Sequence, residues 1–139
     1  MDLKVVIGDP KTGRCLQKIL AEETAKTLFG KKIGDQLKGE LLDLPGYEFI
    51  ISGGSDLAGF PMRQDLPGTG RKRILTTHSK GVHVGQKGVR IRKSVAGNTV
   101  YANTAQINLK VAKEGSAPLI TEEMLAAAKE KKKDKKEAK

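Results

Sequence analysis

The chain has 139 residues, of which 37% are hydrophobic, and its 26 Lys and Arg residues exceed its 16 acids to give a net charge of +10. This length suits one domain with a modest core and leaves too little chain for a second independent one. The single cysteine, Cys15, excludes an internal disulfide framework and a cysteine-based zinc site, and no apolar window approaches a membrane span, so we expect a cytoplasmic protein without a targeting segment.

The first predicted elements form a hairpin. Leu3, Val5 and Ile7 alternate with the residues between them, which predicts a strand, and a turn-rich loop follows. Residues 14–20 would form the return strand. Cys15 is expected to face inward as a small hydrophobe, because the sequence shows no neighbouring histidine or helix terminus that would activate it as a catalytic thiol.

A change of spacing after the hairpin predicts one short helix over residues 21–29. Its apolar residues recur at helical intervals, two glutamates occupy the first turn, and Gly30 follows as a C-cap. Residues 33–42 then resemble a strand-and-turn unit of small barrels. Residues 47–52 predict a strong strand.

The second half predicts short strands separated by glycine-rich turns, at residues 73–77, 89–95, 99–102 and 107–112. Strands so short and closely spaced favour closure, since closure removes exposed sheet edges. The predicted fold class is therefore mainly β: a small, mostly antiparallel β-barrel with one short helix and a C-terminal helix and tail.

The C-terminal segment differs in composition from the rest of the chain. Pro118 precedes Thr121, a suitable N-cap, and a narrow apolar stripe that predicts a helix. Residues 129–139 contain seven lysines among eleven residues and too little apolar surface to fold alone. We expect a β-barrel domain over residues 1–117, and a C-terminal helix with a lysine-rich tail over residues 118–139.

Positive charge is concentrated in residues 60–93, where nine Lys or Arg residues accompany a single acid, Asp65, for a balance of +8. Residues 1–59 balance to −1 and residues 94–139 to +3. A solvated charged face is the common explanation of a basic run, but an ordinary surface mixes both signs. The asymmetry favours contact with phosphate, and the planar fork of arginine suits nucleic acid in particular.

Spacing inside the basic stretch predicts two basic strand faces. Arg71 and Arg73 lie two apart, as do Arg90 and Arg92, so on strands each pair would share one face. Val89 and Ile91 have the opposite phase and would enter the core. Aromatic residues suited to base stacking are scarce there. Recognition of a folded backbone is therefore favoured over recognition of an unpaired strand.

Motifs for catalysis are missing from the sequence. No glycine-lysine-Ser/Thr ending completes a phosphate-binding P-loop, and His78 and His83 lie five apart, which fits neither a helical metal pair nor a zincin motif. The acids show no spacing typical of a catalytic dyad. We expect no enzyme activity, no metal, no cofactor and no small-molecule substrate.

Three segments carry a family resemblance: ISGGSDLAGFPMRQ at 51–64, GRKRIL at 70–75 and VRIRKSVAGNTV at 89–100. Together they resemble the sixth small-subunit ribosomal protein family of archaea and eukaryotes, in its short archaeal form, and lesser similarity extends over residues 1–115. The resemblance implies a small β-barrel bound to small-subunit ribosomal RNA on the cytoplasmic ribosome, as a structural component without a catalytic role.

Matching motifs and charge also indicate individual residues. Phe60 and Pro61 are expected to pack as a hydrophobic anchor beneath the family loop. The residues of this loop are Gly53, Gly54, Asp56, Gly59, Phe60, Pro61 and Met62. The expected RNA-binding residues are Arg63, Arg71, Lys72, Arg73, Lys80, His83, Lys87, Arg90, Arg92 and Lys93.

Two functions remain open. The leading one is a structural ribosomal protein that binds small-subunit ribosomal RNA and neighbouring ribosomal proteins, with no membrane contact and no homo-oligomer. The alternative is a free RNA-binding regulatory or chaperone-like barrel module with a protein partner. An enzyme that acts on RNA is disfavoured, because the sequence lacks the required acid, metal and nucleophile constellations.

Overall fold

Short apolar runs separated by turns give the chain a mainly β fold, as the sequence predicts. The computed structural model describes residues 3–79, 81–115 and Leu119. The longest strands, with ten and nine residues, lie next to each other in the main sheet. The elements are β1 (Leu3–Gly8), β2 (Cys15–Leu20), α1 (Glu22–Lys26), β3 (Gln36–Lys38), a 3₁₀ helix (Gly39–Leu42), β4 (Glu48–Asp56), β5 (Lys72–Thr76), β6 (Ile91–Val95) and β7 (Thr104–Lys113).

The main sheet has five strands in the order β2-β1-β7-β4-β3. β1 and β7 run parallel, and all other neighbours are antiparallel. The predicted closed barrel is not found among the described residues, because closure requires the two edge strands to pair and β2 and β3 do not. The strands that could join these edges, β5 and β6, instead pair with each other in a separate antiparallel hairpin, called the ribbon below.

One face of the main sheet carries the hydrophobic core. The alternation predicted for β1 is confirmed, since Leu3, Val5 and Ile7 are 2%, 0% and 1% exposed. Phe49 of β4 and Ile107 of β7 are fully buried on the same core. Each such side chain contributes about 1.5–3 kcal/mol of transfer free energy on burial.

The first hairpin forms as predicted, but Cys15 lies on its exposed side. The register pairs Leu3 with Leu20 and Gly8 with Cys15. Because paired residues share a face, Leu20 points into the core with Leu3, and Cys15 has the opposite phase. The prediction of an inward cysteine is therefore wrong, and the next residue of β2, Leu16, packs against the core instead.

The predicted helix is confirmed in a shorter form, as α1. Leu28 follows it in a turn and is buried, whereas Phe29 is 40% exposed. Gly30 adopts a φ of 84°, as expected after a helix, and its N–H donates to the Val100 carbonyl at 2.9 Å. This bond ties the end of the helical segment to the connection between β6 and β7.

Two further predictions concern the C-terminal half. Residues 99–102 do not form the predicted strand, because Thr99 makes only an isolated bridge with Lys32. The predicted C-terminal helix and tail lie outside the described residues. Leu119, however, packs into the core, two residues beyond the predicted end of the domain at residue 117.

Candidate nucleic-acid interface

The motif GGSDLAGFPM folds back on the end of β4; residues 53–65 are called the Asp56 loop. Gly59, with a φ of 81°, donates its N–H to the Asp56 carbonyl at 2.8 Å. The N–H of Asp56 in turn donates to the Phe60 carbonyl at 3.0 Å. These two bonds close a tight turn that returns the chain alongside the strand it has just left.

Close packing of the returning chain explains one of the paired glycines. Met62 donates its N–H to the Gly54 carbonyl at 3.0 Å and buries its side chain in the core. A Cβ at Gly54 would lie 2.4 Å from the Gln106 carbonyl oxygen and 2.9 Å from the Met62 sulfur. Glycine at this position therefore lets three segments meet.

The side chain of Asp56 is fully buried and hydrogen-bonded from three directions. Arg71 Nε donates to its Oδ2, Tyr101 Oη donates to the same oxygen at 3.4 Å, and the Leu57 N–H donates to Oδ1. The Arg71 hydrogen bond, against the opposing effect of burial, lowers the pKa of Asp56 below its usual value. The guanidinium carbon of Arg71 also lies 5.1 Å from the centre of the Phe60 ring.

Arg63 forms a second arginine–acid pair in the Asp56 loop. Its Nε and Nη2 donate to Asp65 Oδ1 and Oδ2 at 2.8 and 2.7 Å, and its Nη1 donates to Ser79 Oγ at 2.9 Å. The bidentate bond lowers the pKa of Asp65. Three of the five N–H donors of this guanidinium are thus used within the protein.

Backbone contacts fasten the Asp56 loop to the segment after β6. The Ala96 N–H donates to the Pro61 carbonyl at 2.9 Å, and the Arg63 N–H donates to the Ala96 carbonyl at 3.2 Å. A Cβ at Gly97 would lie 1.8 Å from the Gly68 carbonyl oxygen, so only glycine fits there. The loop therefore holds the base of the ribbon.

The ribbon places two arginines on one exposed side. Arg73 lies opposite Ser94 and Leu75 lies opposite Arg92, so these four side chains share what we call the outer side. The other side carries Val95, which is fully buried. Both outer arginines are exposed, and neither forms an ion pair with a described acid.

Each predicted arginine pair has one member within a strand and one member just before that strand. Arg71 lies just before β5 and turns to Asp56, while Arg73 lies on the strand. Arg90 likewise precedes β6, and Arg92 lies within it. Val89, predicted to enter the core, is 39% exposed because it lies outside the strand.

The other predicted RNA-binding residues surround the ribbon. Lys72 and Lys93 are exposed within it, on the side that also carries Val95. Lys87 is exposed in the connection between the strands. The rings of His83 and His78 meet edge-on at 5.7 Å, and Lys80 lies outside the described residues.

The distribution of acids also separates the paired arginines, Arg63 and Arg71, from the unpaired arginines of the outer side. The sequence has no acid between Asp65 and Glu114, a span with ten Lys or Arg residues. The two acids of the Asp56 loop already hold Arg63 and Arg71. Most of the uncompensated positive charge therefore falls on the ribbon and on the connection between its two strands.

The described part of the chain contains neither a metal-binding cluster nor a membrane-spanning helix. Across residues 3–79 and 81–115, no three His, Cys, Asp or Glu side chains gather where they could hold a metal ion. Within the same residues, no helix has the length and apolar character needed to cross a membrane.

Comparison with known proteins identifies the family. A family model described as ribosomal protein S6e matches residues 3–124. The chain belongs to the ribosomal protein S6e family. An S6e protein is a ribosomal protein rather than an enzyme, as the sequence predicts.

Archaeal relatives of the S6e family align with most of this chain and with nearly all of their own length. Small ribosomal subunit protein eS6 of Archaeoglobus fulgidus is 48% identical over 120 residues, which cover 86% of this chain and 93% of the relative. The protein of the same name from Methanococcus maripaludis is 45% identical over 119 residues, or 86% and 94% of the two chains. That of Thermoplasma acidophilum is 43% identical over 114 residues, or 82% and 91%.

Sequence reasoning missed the contacts that the two acids of the Asp56 loop make in this S6e chain. Asp65 follows Arg63 by two positions, a spacing that could have indicated a pair. Tyr101 lies 45 positions from Asp56, and no local signal links them. The contact exists only because the loop folds back onto the segment before β7.

Proposed function

We propose that this S6e chain is a structural constituent of the small ribosomal subunit and binds folded ribosomal RNA through the outer side of the ribbon. The similar archaeal proteins are named as small ribosomal subunit proteins, which supports the first part. One observation carries the second: Arg73 and Arg92 share an exposed side with no described acid to neutralise them.

Physical chemistry supports RNA as the partner of this side. Arginine donates hydrogen bonds in a planar fork that matches phosphate oxygens, and fixed cations near phosphates release condensed counterions. Lys72, Lys87, Arg90 and Lys93 are exposed near the same strands and add to the local field. Such binding reads the position of the backbone more than the identity of the bases.

We also propose that the two parts of the chain have different roles. Residues 1–117 form the RNA-binding body, to whose core Leu119 also belongs, and the lysines of residues 129–139 extend the electrostatic contact. Neighbouring ribosomal proteins are further partners, and the cytoplasmic ribosome is the proposed location. No homo-oligomer is needed for this function.

Sedimentation tests the proposal directly. Untagged protein is mixed with small subunits from which the protein has been removed, then centrifuged at physiological and at high salt. We expect co-sedimentation at physiological salt that weakens steeply as salt rises. Protein that stays in the soluble fraction, or that sediments through a salt-insensitive protein partner, would contradict the proposal and favour the regulatory module.

A further inference from the structure

Leu75 is an apolar residue on the basic outer side of the ribbon. Its side chain is 58% exposed. The register places Arg92 directly opposite, and Arg73 lies two residues earlier with its side chain on the same side. The core formed by the described residues does not include Leu75, so packing within the fold does not explain a leucine here.

The surroundings of Leu75 define the chemistry that a partner must offer. Arg73 and Arg92 are diagonal neighbours across the ribbon, with Cβ atoms about 7 Å apart. Their long side chains can therefore reach two separate anionic groups, while Leu75 lies next to both arginines, directly opposite Arg92 and two residues after Arg73. A complementary partner combines two rows of anions with a less polar surface between them.

Double-helical RNA offers this combination. The minor groove of an A-form helix is wide and shallow, and sugars line it between the two phosphate rows. Leucine can lie against the sugar carbons, while each guanidinium binds a phosphate at one edge.

Unpaired RNA fits the outer side less well. Recognition of single strands depends on stacking of bases on aromatic rings. Neither β5 nor β6 contains an aromatic residue. Phe60 lies beside the ribbon base, but the Arg71 guanidinium lies over its ring.

We infer that the outer side of the ribbon binds in the minor groove of double-helical RNA, with Arg73 and Arg92 on phosphates at its two edges and Leu75 against the sugars between them. The inference rests on the proposed function and deepens it. It assigns a contact role to Leu75 and a helical form to the RNA.

The first part of the test compares nucleic acids with the full chain. The probes are a mixed-sequence RNA duplex of about 16 base pairs, one of its strands alone, and a DNA duplex of the same sequence. We expect the RNA duplex to bind roughly tenfold more tightly than either alternative, because only it presents an A-form minor groove. Poly-glutamate at matched charge serves as a competitor and should not displace the duplex.

The second part compares variants on the RNA duplex. Leu75→Ala should weaken binding roughly tenfold, equivalent to about 1.4 kcal/mol, while the salt dependence stays unchanged because no charge is lost. Leu75→Met keeps the apolar surface and should bind within about twofold of the parent. Ile19→Ala, at a 64% exposed residue of β2, is the matched control and should have no effect.

The outcomes separate this inference from the proposed function. A parent chain that binds no RNA would contradict both. Equal affinity of Leu75→Ala and the parent, together with weaker binding by Arg73→Gln, would remove Leu75 from the site while leaving RNA binding intact. Tighter binding of the single strand, or displacement of the duplex by poly-glutamate, would overturn the assignment to double-helical RNA.

Discussion

The Asp56 loop and the ribbon contain the same kind of cation in opposite electrostatic settings. At the loop, Arg63 within it and Arg71 just beyond it donate to Asp65 and Asp56, and Asp56 is fully buried; these two are called the loop arginines below. In the ribbon, Arg73 is exposed on a surface without a described acid to pair with. All three arginines belong to the same basic stretch of sequence. They differ in whether an acid of the protein binds the guanidinium.

This contrast separates positive charge used in folding from positive charge available for binding. A guanidinium already bound to carboxylate or hydroxyl oxygens loses part of its hydrogen-bonding capacity for phosphate. The loop arginines instead fix a turn and the strand that follows it. We therefore expect the loop to set the position of the ribbon, and the ribbon to bind RNA.

Charge reversal on the ribbon gives the largest expected effect. The double variant Arg73→Glu with Arg92→Glu removes two charge-assisted hydrogen bonds of about 2 kcal/mol each, so affinity for an RNA duplex should fall roughly a thousandfold. Filter binding measures the affinity, and thermal unfolding should be nearly unchanged because both residues are exposed. Reversal of two distant exposed lysines, Lys26→Glu with Lys38→Glu, makes the same change of −4 in net charge and should weaken binding far less.

Replacement of Gly97 should cost the most stability. In Gly97→Ala the new Cβ would meet the Gly68 carbonyl, and forced backbone shifts of this kind cost about 3 kcal/mol. Denaturant unfolding measures the loss. Gly70→Ala is the matched control, since a Cβ there meets nothing within 4 Å and the variant should unfold like the parent. Equal stability of the two variants would mean that the close approach of Gly97 to Gly68 is not needed for the fold.

Neutralisation of the buried loop acid should affect stability more than RNA binding. Asp56→Asn keeps the shape of the side chain but loses the charge that holds Arg71, at a cost of about 2 kcal/mol. Asp43→Asn is a control at a side chain that is 92% exposed. A loss of RNA affinity by the folded Asp56→Asn protein as large as that of the ribbon reversal would contradict the division of roles.

The smallest expected effect is on acid stability. The pKa of Asp56 is lowered by folding, so its contribution is complete above the unfolded value of about 3.8 and is lost as pH falls through the lower folded value. Unfolding followed by circular dichroism between pH 5 and pH 2 should therefore show a shallower loss for Asp56→Asn than for the parent. Identical pH profiles would show that the Arg71 bond does not favour the charged form.

Local patterns predicted the strands of this fold better than their arrangement. Alternation in β1 correctly assigned Leu3, Val5 and Ile7 to the core, because one buried sheet face imposes a period of two. The phase of Cys15 was wrong, since only the register with β1 decides which side of β2 is buried. An open sheet with a separate ribbon was not predicted, because strand spacing does not reveal which edges pair.

The candidate site was predicted as a stretch of charge but not as two sets of arginines. Composition located the basic residues between 60 and 93 and the scarcity of acids among them. It could not reveal that Asp56, outside this stretch, reaches Arg71 through a turn at Gly59. Such a contact depends on tertiary folding, so the exposed arginines could be recognised only after the paired ones were known.

The most direct test compares Arg63→Gln with Arg73→Gln, which remove the same charge from the loop and from the ribbon. For each, the slope of log affinity against log salt is measured on an RNA duplex, together with the free energy of unfolding. We predict that Arg73→Gln reduces the slope by about 1 with unchanged stability, and that Arg63→Gln lowers stability by less than about 1 kcal/mol with an unchanged slope. Equal reductions in slope would contradict the claim that the loop arginines fold the protein while the ribbon arginines bind RNA.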